Sequence, residues 1–302
     1  MKIAIAGLGR MGAQIARKLS ESGHDVIAHN RHSDKVDAVV AYGAKAAYKK
    51  EDVVKAFEGE QLVLWLMIPA EVIDEELDTW LALVPKGSLI IDGGNSDFRL
   101  DKKRETKVSA AGSTLVDVGT SGGVWGYQNG FCMMAGGREE DFKKIEPALK
   151  SLAAPTGGYE YFGPNGAGHF VKMVHNAIEY GMMQSLADGY LMLKDGPYKD
   201  IDLAKAGNVW QKKSVITSWL NELAAQSVAE NPNLEGIDGA VAETGEARWT
   251  LEVAKEMNIP MPAIRSAFEV RLASQKGQTN FGTKLLSAMR NKFGGHAINK
   301  DG

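Results

Sequence analysis

Short apolar runs alternate with amphipathic stretches through the first half of the chain, and this alternation sets the fold. Residues 3–6, 26–29, 62–66, 88–91 and 114–118 are apolar runs of strand length. Between them, residues 10–22, 35–42, 51–58, 70–83 and 100–112 place apolar side chains three and four positions apart, the spacing of one helix face. Strand–helix alternation at this interval predicts a parallel, doubly wound sheet. Residues 130–136, 138–151 and 158–162 predict a strand, a helix and a closing strand on its far edge. After the turn-rich Gly163-Pro-Asn-Gly-Ala-Gly168 the pattern changes. Residues 169–194, 201–227, 239–257, 261–274 and 281–290 keep a helical period with little strand signal. The expected architecture is α/β followed by all-α, with a sheet domain over 1–165 and a helical domain over 166–302.

Composition narrows the class. The chain has 302 residues, 44% apolar and 24% charged, an ordinary mixture for two globular domains. A net charge of −3 with no basic run argues against nucleic acid as a partner. No run approaches the ~18 apolar residues of a membrane span. The apolar run from Ile3 is interrupted by Arg10 and is too short for a signal sequence. The single Cys132 cannot form an intrachain disulfide; within Gly130-Phe-Cys-Met-Met134 it is expected to be a buried thiol in a reducing cytoplasm.

The first strand leads directly into Gly7-Leu-Gly-Arg-Met-Gly12, a Gly-x-Gly-x-x-Gly turn that opens a helix. Strand, turn and helix together are the context a dinucleotide fingerprint needs, so the sheet domain is expected to be Rossmann-type. Gly7 allows the tight turn, Gly9 the approach of a pyrophosphate, and Gly12 close helix–strand packing. Leu8, Arg10 and Met11 complete the cradle, and the helix N-terminus favours the anion. The second strand ends in Asn30-Arg31, where an NAD enzyme usually carries Asp or Glu. Asn30 carries no charge to repel a 2′-phosphate and Arg31 can pair with one, which favours NADP over NAD.

Four later segments fall where doubly wound sheets bind ligands, or open the helical half. Met67-Ile-Pro-Ala70 and Asp92-Gly-Gly-Asn-Ser96 follow strands, offering Met67 and the Asn95 amide, with Asp92 expected as a turn residue. Ser121-Gly122-Gly123 offers a hydroxyl and bare N–H groups to a carboxylate. In Gly166-Ala-Gly-His-Phe-Val-Lys-Met-Val-His-Asn-Ala-Ile-Glu-Tyr180, helical spacing puts Lys172, His175, Asn176 and Glu179 on one stripe, within an arc of roughly 100°. A buried Lys and Glu on one stripe suggest an acid/base site; a Lys172–Glu179 pair on a solvated face is the plainer alternative. His169, His175 and Glu179 make a poor chelate, since the two histidines sit about 120° apart on a helix.

These segments together resemble the 6-phosphogluconate dehydrogenases within the β-hydroxyacid dehydrogenase superfamily, over the whole length and in the size of the shorter bacterial type. The resemblance implies metal-independent oxidative decarboxylation of 6-phospho-D-gluconate, a sugar-acid phosphate, to D-ribulose 5-phosphate and CO2. It implies Lys172 as base, Glu179 as acid, and Asn176 beside them. Asn95, Ser121, Gly122, Gly123, His175, Asn176 and Tyr180 match substrate contacts, and Arg271 resembles a phosphate-binding arginine. Arg290 and His296, in Arg290-Asn-Lys-Phe-Gly-Gly-His296, resemble a tail that reaches a neighbouring subunit, implying a homodimer or homotetramer. One departure stands out. Where the longer enzymes have Lys-Gly-Thr-Gly-Lys-Trp-Thr, this chain has Thr244-Gly-Glu-Ala-Arg-Trp-Thr250, and Glu246 facing a phosphate would repel it. Arg248 is a possible substitute. A non-decarboxylating dehydrogenase of the 3-hydroxyisobutyrate type would share the two glycine turns and Lys172 with Asn176, but needs neither His175 nor Glu179. A non-catalytic dinucleotide-binding regulator would be expected to have lost the stripe.

Overall fold

The structure, a computed structural model, describes residues 1–298; the last residues of the expected helical domain, 299–302, lie outside the described residues. Eight strands form one sheet. They are β1 (Lys2–Ala6), β2 (Asp25–His29), β3 (Lys45–Ala47), β4 (Val63–Leu66), β5 (Leu89–Asp92), β6 (Thr114–Ser121), β7 (Cys132–Gly137) and β8 (Gly158–Tyr161). Their order is β3-β2-β1-β4-β5-β6-β7-β8, all neighbours parallel except β6 and β7. This is the Rossmann order, with the reversal between β1 and β4. Between and after the strands lie α1 (Arg10–Glu21), α2 (Ser33–Val40), α3 (Lys50–Ala56), α4 (Ile73–Leu81), α5 (Asp101–Ala110), the short α6 (Gly126–Asn129) and α7 (Glu139–Ala153).

β4 and β5 are buried at every position, which is why they read as unbroken apolar runs rather than alternating ones. One face of the sheet buries Ile3, Ile5, Trp65, Ile91 and Phe131; the other buries Ala4, Leu64, Leu66, Trp80 and Ile90. Cys132 corrects the expectation of a buried thiol. It is exposed, because as the first residue of β7 it alternates outward between the buried Phe131 and Met133. β3 has no counterpart in the apolar pattern. It is a three-residue edge strand with only Ala47 buried.

The helices that follow are α8 (Ala167–Asp195), α9 (Leu203–Trp210), α10 (Trp219–Glu230), α11 (Glu246–Glu256), α12 (Pro262–Ser274) and α13 (Phe281–Gly294). The chain divides into a compact unit over Met1–Met173 and a second from Val174 on, so the first unit runs past the Gly/Pro turn into α8. The second unit has its own core, with Met183, Tyr190, Leu223, Leu285 and Met289 buried. The single helix expected over 201–227 is two. Ser218 caps α10 by accepting from the Asn221 N–H at 3.1 Å, and Asn221 Nδ2 donates back to the Gly207 carbonyl at 3.0 Å. The helix expected over 239–257 begins only at Glu246, after Gly245 at φ +99°. Among the described residues no helix is long and apolar enough to cross a membrane.

Candidate active site

In the first unit the glycine turn is built by close approach. A Cβ at Gly7, φ +97°, would lie 2.4 Å from the Met67 carbonyl oxygen, and one at Gly12 would lie 1.9 Å from that of Gly7. Gly9 differs: nothing lies within 4 Å of a Cβ there, and it caps α1 without a side chain. The α1 N-terminus therefore has the space and the dipole to receive an anion such as a pyrophosphate. Leu8 is buried beneath the turn, Met11 half-buried, and Arg10 exposed. Asn30 Oδ1 accepts from the Leu8 N–H at 3.0 Å, so Asn30 ties the end of β2 to the turn, with the exposed Arg31 just beyond it.

Asp92 is the turn residue expected of it. Its carboxylate accepts from the Gly94 N–H at 3.1 Å and the Ser96 hydroxyl at 2.8 Å, which closes a loop around Asn95. Asn95 Oδ1 is buried without a partner among the described residues, an acceptor left for a ligand donor. Ser121 ends β6, and Gly122 and Gly123 follow at φ +139° and +52°. Gln14 of α1 spans this turn. Its Nε2 donates to the Gly123 carbonyl at 3.5 Å and its Oε1 accepts from the Tyr127 N–H at 3.0 Å.

Lys172 is 4% exposed and lies over β6 where a Cβ at Gly119 would come 2.4 Å from its own Cβ. Gly168 approaches the Met134 carbonyl in the same way, at 2.3 Å. These two glycines let α8 lie on the sheet. Gly119, a glycine inside a strand, is the kind of sequence signal that marks such an approach. Asp117 fixes the start of α8, accepting from the N–H groups of Gly166 at 2.8 Å and His169 at 2.9 Å.

His169 is committed to partners in the first unit. Its Nδ1 pairs with Asp101 at 2.7 Å, and Arg104 lies 3.3 Å from Asp101 and 3.6 Å from Asp92. Asp92, Asp101 and His169 bring ligand atoms within 4.8 Å of one another, but the guanidinium of Arg104 already supplies a cation there. Burial alone would push the imidazole down. Asp101, Asp92 and Asp117 outweigh it and hold His169 raised to about 10. Burial pushes the Asp101 carboxyl up as well, against the opposing pull of His169. A histidine raised from about 6.5 contributes stability that is complete below that value and lost as the pH climbs through about 10. Denaturation midpoints should therefore fall between about pH 7 and 10, and His169→Asn should flatten that slope. An unchanged slope in the variant would contradict the imidazolium.

In the second unit, Tyr180 is 3% exposed and its hydroxyl accepts from the Thr244 N–H at 3.2 Å. The Arg271 guanidinium of α12 lies 3.3 Å from the centre of the Tyr180 ring, and its Nη2 touches Met183 Sδ at 3.5 Å. Arg271 is 1% exposed and Arg290, on α13, is 7% exposed. Neither has a carboxylate within ion-pair distance among the described residues. Burial lowers both, Arg271 to about 10, and each feels the other unit-2 charges: Arg290 disfavours the Arg271 cation, while Glu179 favours both. Two buried guanidiniums of like charge ask for an anion. The departure at Glu246 also finds its place. Its carboxylate accepts from Asn176 Nδ2 at 2.9 Å and from the Thr244 hydroxyl, so it faces donors of its own chain. Arg248 pairs with Glu243.

Arg290 corrects the expectation of a tail. α13 continues to Gly294 and is capped by Gly295 at φ +60°, so Arg290 lies within a helix and buried in its own unit. His296 folds back with its ring edge on Phe293, 6.1 Å between centroids, while Asn291 Nδ2 donates to its carbonyl.

Comparison with known proteins shows the family. Residues 2–163 match a family model described as the NAD binding domain of 6-phosphogluconate dehydrogenase, and residues 168–281 match its C-terminal domain. The chain is 34% identical over 300 residues to the NAD(+)-dependent, decarboxylating 6-phosphogluconate dehydrogenase of Haloferax volcanii, covering 99% of this chain and 98% of that one. It is similar to the Plasmodium falciparum 6-phosphogluconate dehydrogenase, solved with NADP+ and with 6-phosphogluconate, at TM-score 0.83 and 25% identity. That likeness covers 97% of this chain and 65% of the longer Plasmodium chain. The 3-hydroxyisobutyrate dehydrogenase of Mycobacterium tuberculosis shares the fold at TM-score 0.72 and 20% identity, covering 95% of this chain and 98% of that one.

Proposed function

The chain belongs to the 6-phosphogluconate dehydrogenase family, and from that premise we propose that it oxidises and decarboxylates 6-phospho-D-gluconate with a nicotinamide dinucleotide. The observation that carries the substrate is the pair of buried arginines, Arg271 and Arg290, with no carboxylate within ion-pair distance among the described residues. A phosphate dianion supplies the charge they lack. Carriage of both a base and an acid on one face of α8 supports decarboxylation over plain oxidation.

The Gly7–Gly12 turn would hold the dinucleotide, with Arg31 toward its 2′-phosphate, and the bound nicotinamide would supply a hydride acceptor for C3. Lys172, on the buried face of α8, takes the proton of the C3 hydroxyl. The product is a ketone β to the carboxylate, so CO2 leaves with the bonding pair flowing toward the carbonyl oxygen. Protonated Lys172 returns its proton to that oxygen and stabilises the charge as it develops. Glu179, seven residues on and about two helical turns along, then protonates the carbon that becomes C1 of ribulose 5-phosphate, while the enol proton returns to Lys172 and the ketone forms. By the resemblance, Asn95, Ser121, Gly122 and Gly123 are each substrate contacts offered by the first unit, and His175, Asn176 and Tyr180 are contacts offered by the second. Arg290 serves its own chain in this reading.

The test is to supply 6-phosphogluconate with NADP+ or NAD+ and follow reduced nicotinamide and CO2 together. Equal yields are expected. Reduced nicotinamide without CO2 would leave only a plain hydroxyacid dehydrogenase, and no turnover would reject the substrate. Replacing Arg31 with Ala should weaken NADP+ by about 1.5–3 kcal/mol while sparing NAD+. Equal weakening of both in titrations would remove its 2′-phosphate role.

A further inference from the structure

The residue at the departure, Glu246, opens a hydrogen-bonded chain that ends on the stripe of α8. The Thr244 hydroxyl donates to one carboxylate oxygen of Glu246 and Asn176 Nδ2 donates to the other at 2.9 Å. Asn176 Oδ1 then meets His175 Nδ1 at 2.9 Å. Glu246 is 5% exposed at the first position of α11, held there by the Gly245 turn and by the Thr250 hydroxyl on its carbonyl. A carboxylate oxygen accepts, so the Asn176 edge that faces it must be the NH2 edge. That leaves the amide oxygen toward His175, and an amide oxygen cannot donate. His175 Nδ1 must therefore carry the proton, and the lone pair of the neutral ring falls on Nε2.

We propose that Glu246 is a positioning residue which, through Asn176, fixes His175 as the Nδ1–H tautomer and so presents Nε2 as an acceptor for a substrate hydroxyl. The hydroxyl-bearing substrate rests on the function proposed above; the tautomer does not. The chain of donors and acceptors has one direction only, because each link fixes the next. A neutral threonine at 246 could donate or accept and would leave the Asn176 amide free to turn over. Glu246 gives the polar stripe a defined polarity in place of a phosphate ligand. This accounts for an acidic residue beside an anion site: the carboxylate is turned to Asn176 and Thr244.

Nitrogen-15 histidine labelling of the full chain tests this, with His175 assigned by loss of its signals in His175→Gln. At a pH where the ring is neutral, His175 should show a protonated Nδ1 and an unprotonated Nε2. Glu246→Gln can still turn its amide oxygen to Asn176 and should keep this tautomer. Glu246→Ala should give a tautomer mixture and lower kcat on 6-phosphogluconate on the order of 10-fold or more, with dinucleotide affinity unchanged. A wild-type Nε2–H tautomer would overturn the proposal whether or not any variant folds. So would a Glu246→Ala protein with wild-type tautomer and kcat. Failure of the wild type to turn over 6-phosphogluconate would strike the proposed function alone, since the tautomer is read without substrate.

Discussion

Lys172→Met is expected to stop nicotinamide reduction, with a loss of at least the 10²–10⁴-fold typical of a general base. Methionine keeps the length and apolar stem of a side chain that is 4% exposed and packed over Gly119, so the fold should persist. Dinucleotide affinity should also persist, because the turn from Gly7 to Gly12 is built by its own close approaches, with Met67 and within itself. Single-turnover absorbance at saturating substrate separates the two. Turnover within about tenfold of wild type, well short of a lost general base, would take the proton from some other group and reassign Lys172 to a structural place.

Glu179→Gln should act later. Its proposed work is to protonate carbon after CO2 has left, so turnover should fall by about 10²–10⁴-fold while substrate still binds. Its setting offers a competing role, since Glu179 favours the cations of Arg271 and Arg290. If that were its whole contribution, the variant would strengthen the arginines' appetite for an anion and alter KM more than kcat. A large fall in kcat at little-changed KM supports the acid.

Much of the first unit was legible because parallel strands buried on both faces announce themselves as apolar runs, as Val63–Leu66 and Leu89–Asp92 do. β3 was not, since three residues with one buried alanine carry no period. The glycine turn and the stripe were readable because their meaning lies in local spacing. The pairs that hold them in place were not. Asp117 with Gly166, His169 with Asp101, and Asn176 with Glu246 join residues far apart in the chain, and no periodicity encodes such partners. Arg290 was misplaced for a different reason. The tail rested on the family resemblance, whereas the helix continues to Gly294 and uses Gly295 as its left-handed cap. The break between α9 and α10 lay in Ser218, whose capping role was available from its position ahead of a helical period.

The claim on which the account turns is that α8 carries an acid distinct from its base, and hydrogen exchange at C1 of ribulose 5-phosphate addresses it. Wild-type protein in deuterated water should label C1 during turnover, read by mass spectrometry or proton resonance. Lys172→Met and Glu179→Gln should both be slow in the full reaction, but Glu179→Gln should in addition lose C1 exchange when given ribulose 5-phosphate directly. Exchange at the wild-type rate in Glu179→Gln would contradict the assignment and leave α8 with a base alone.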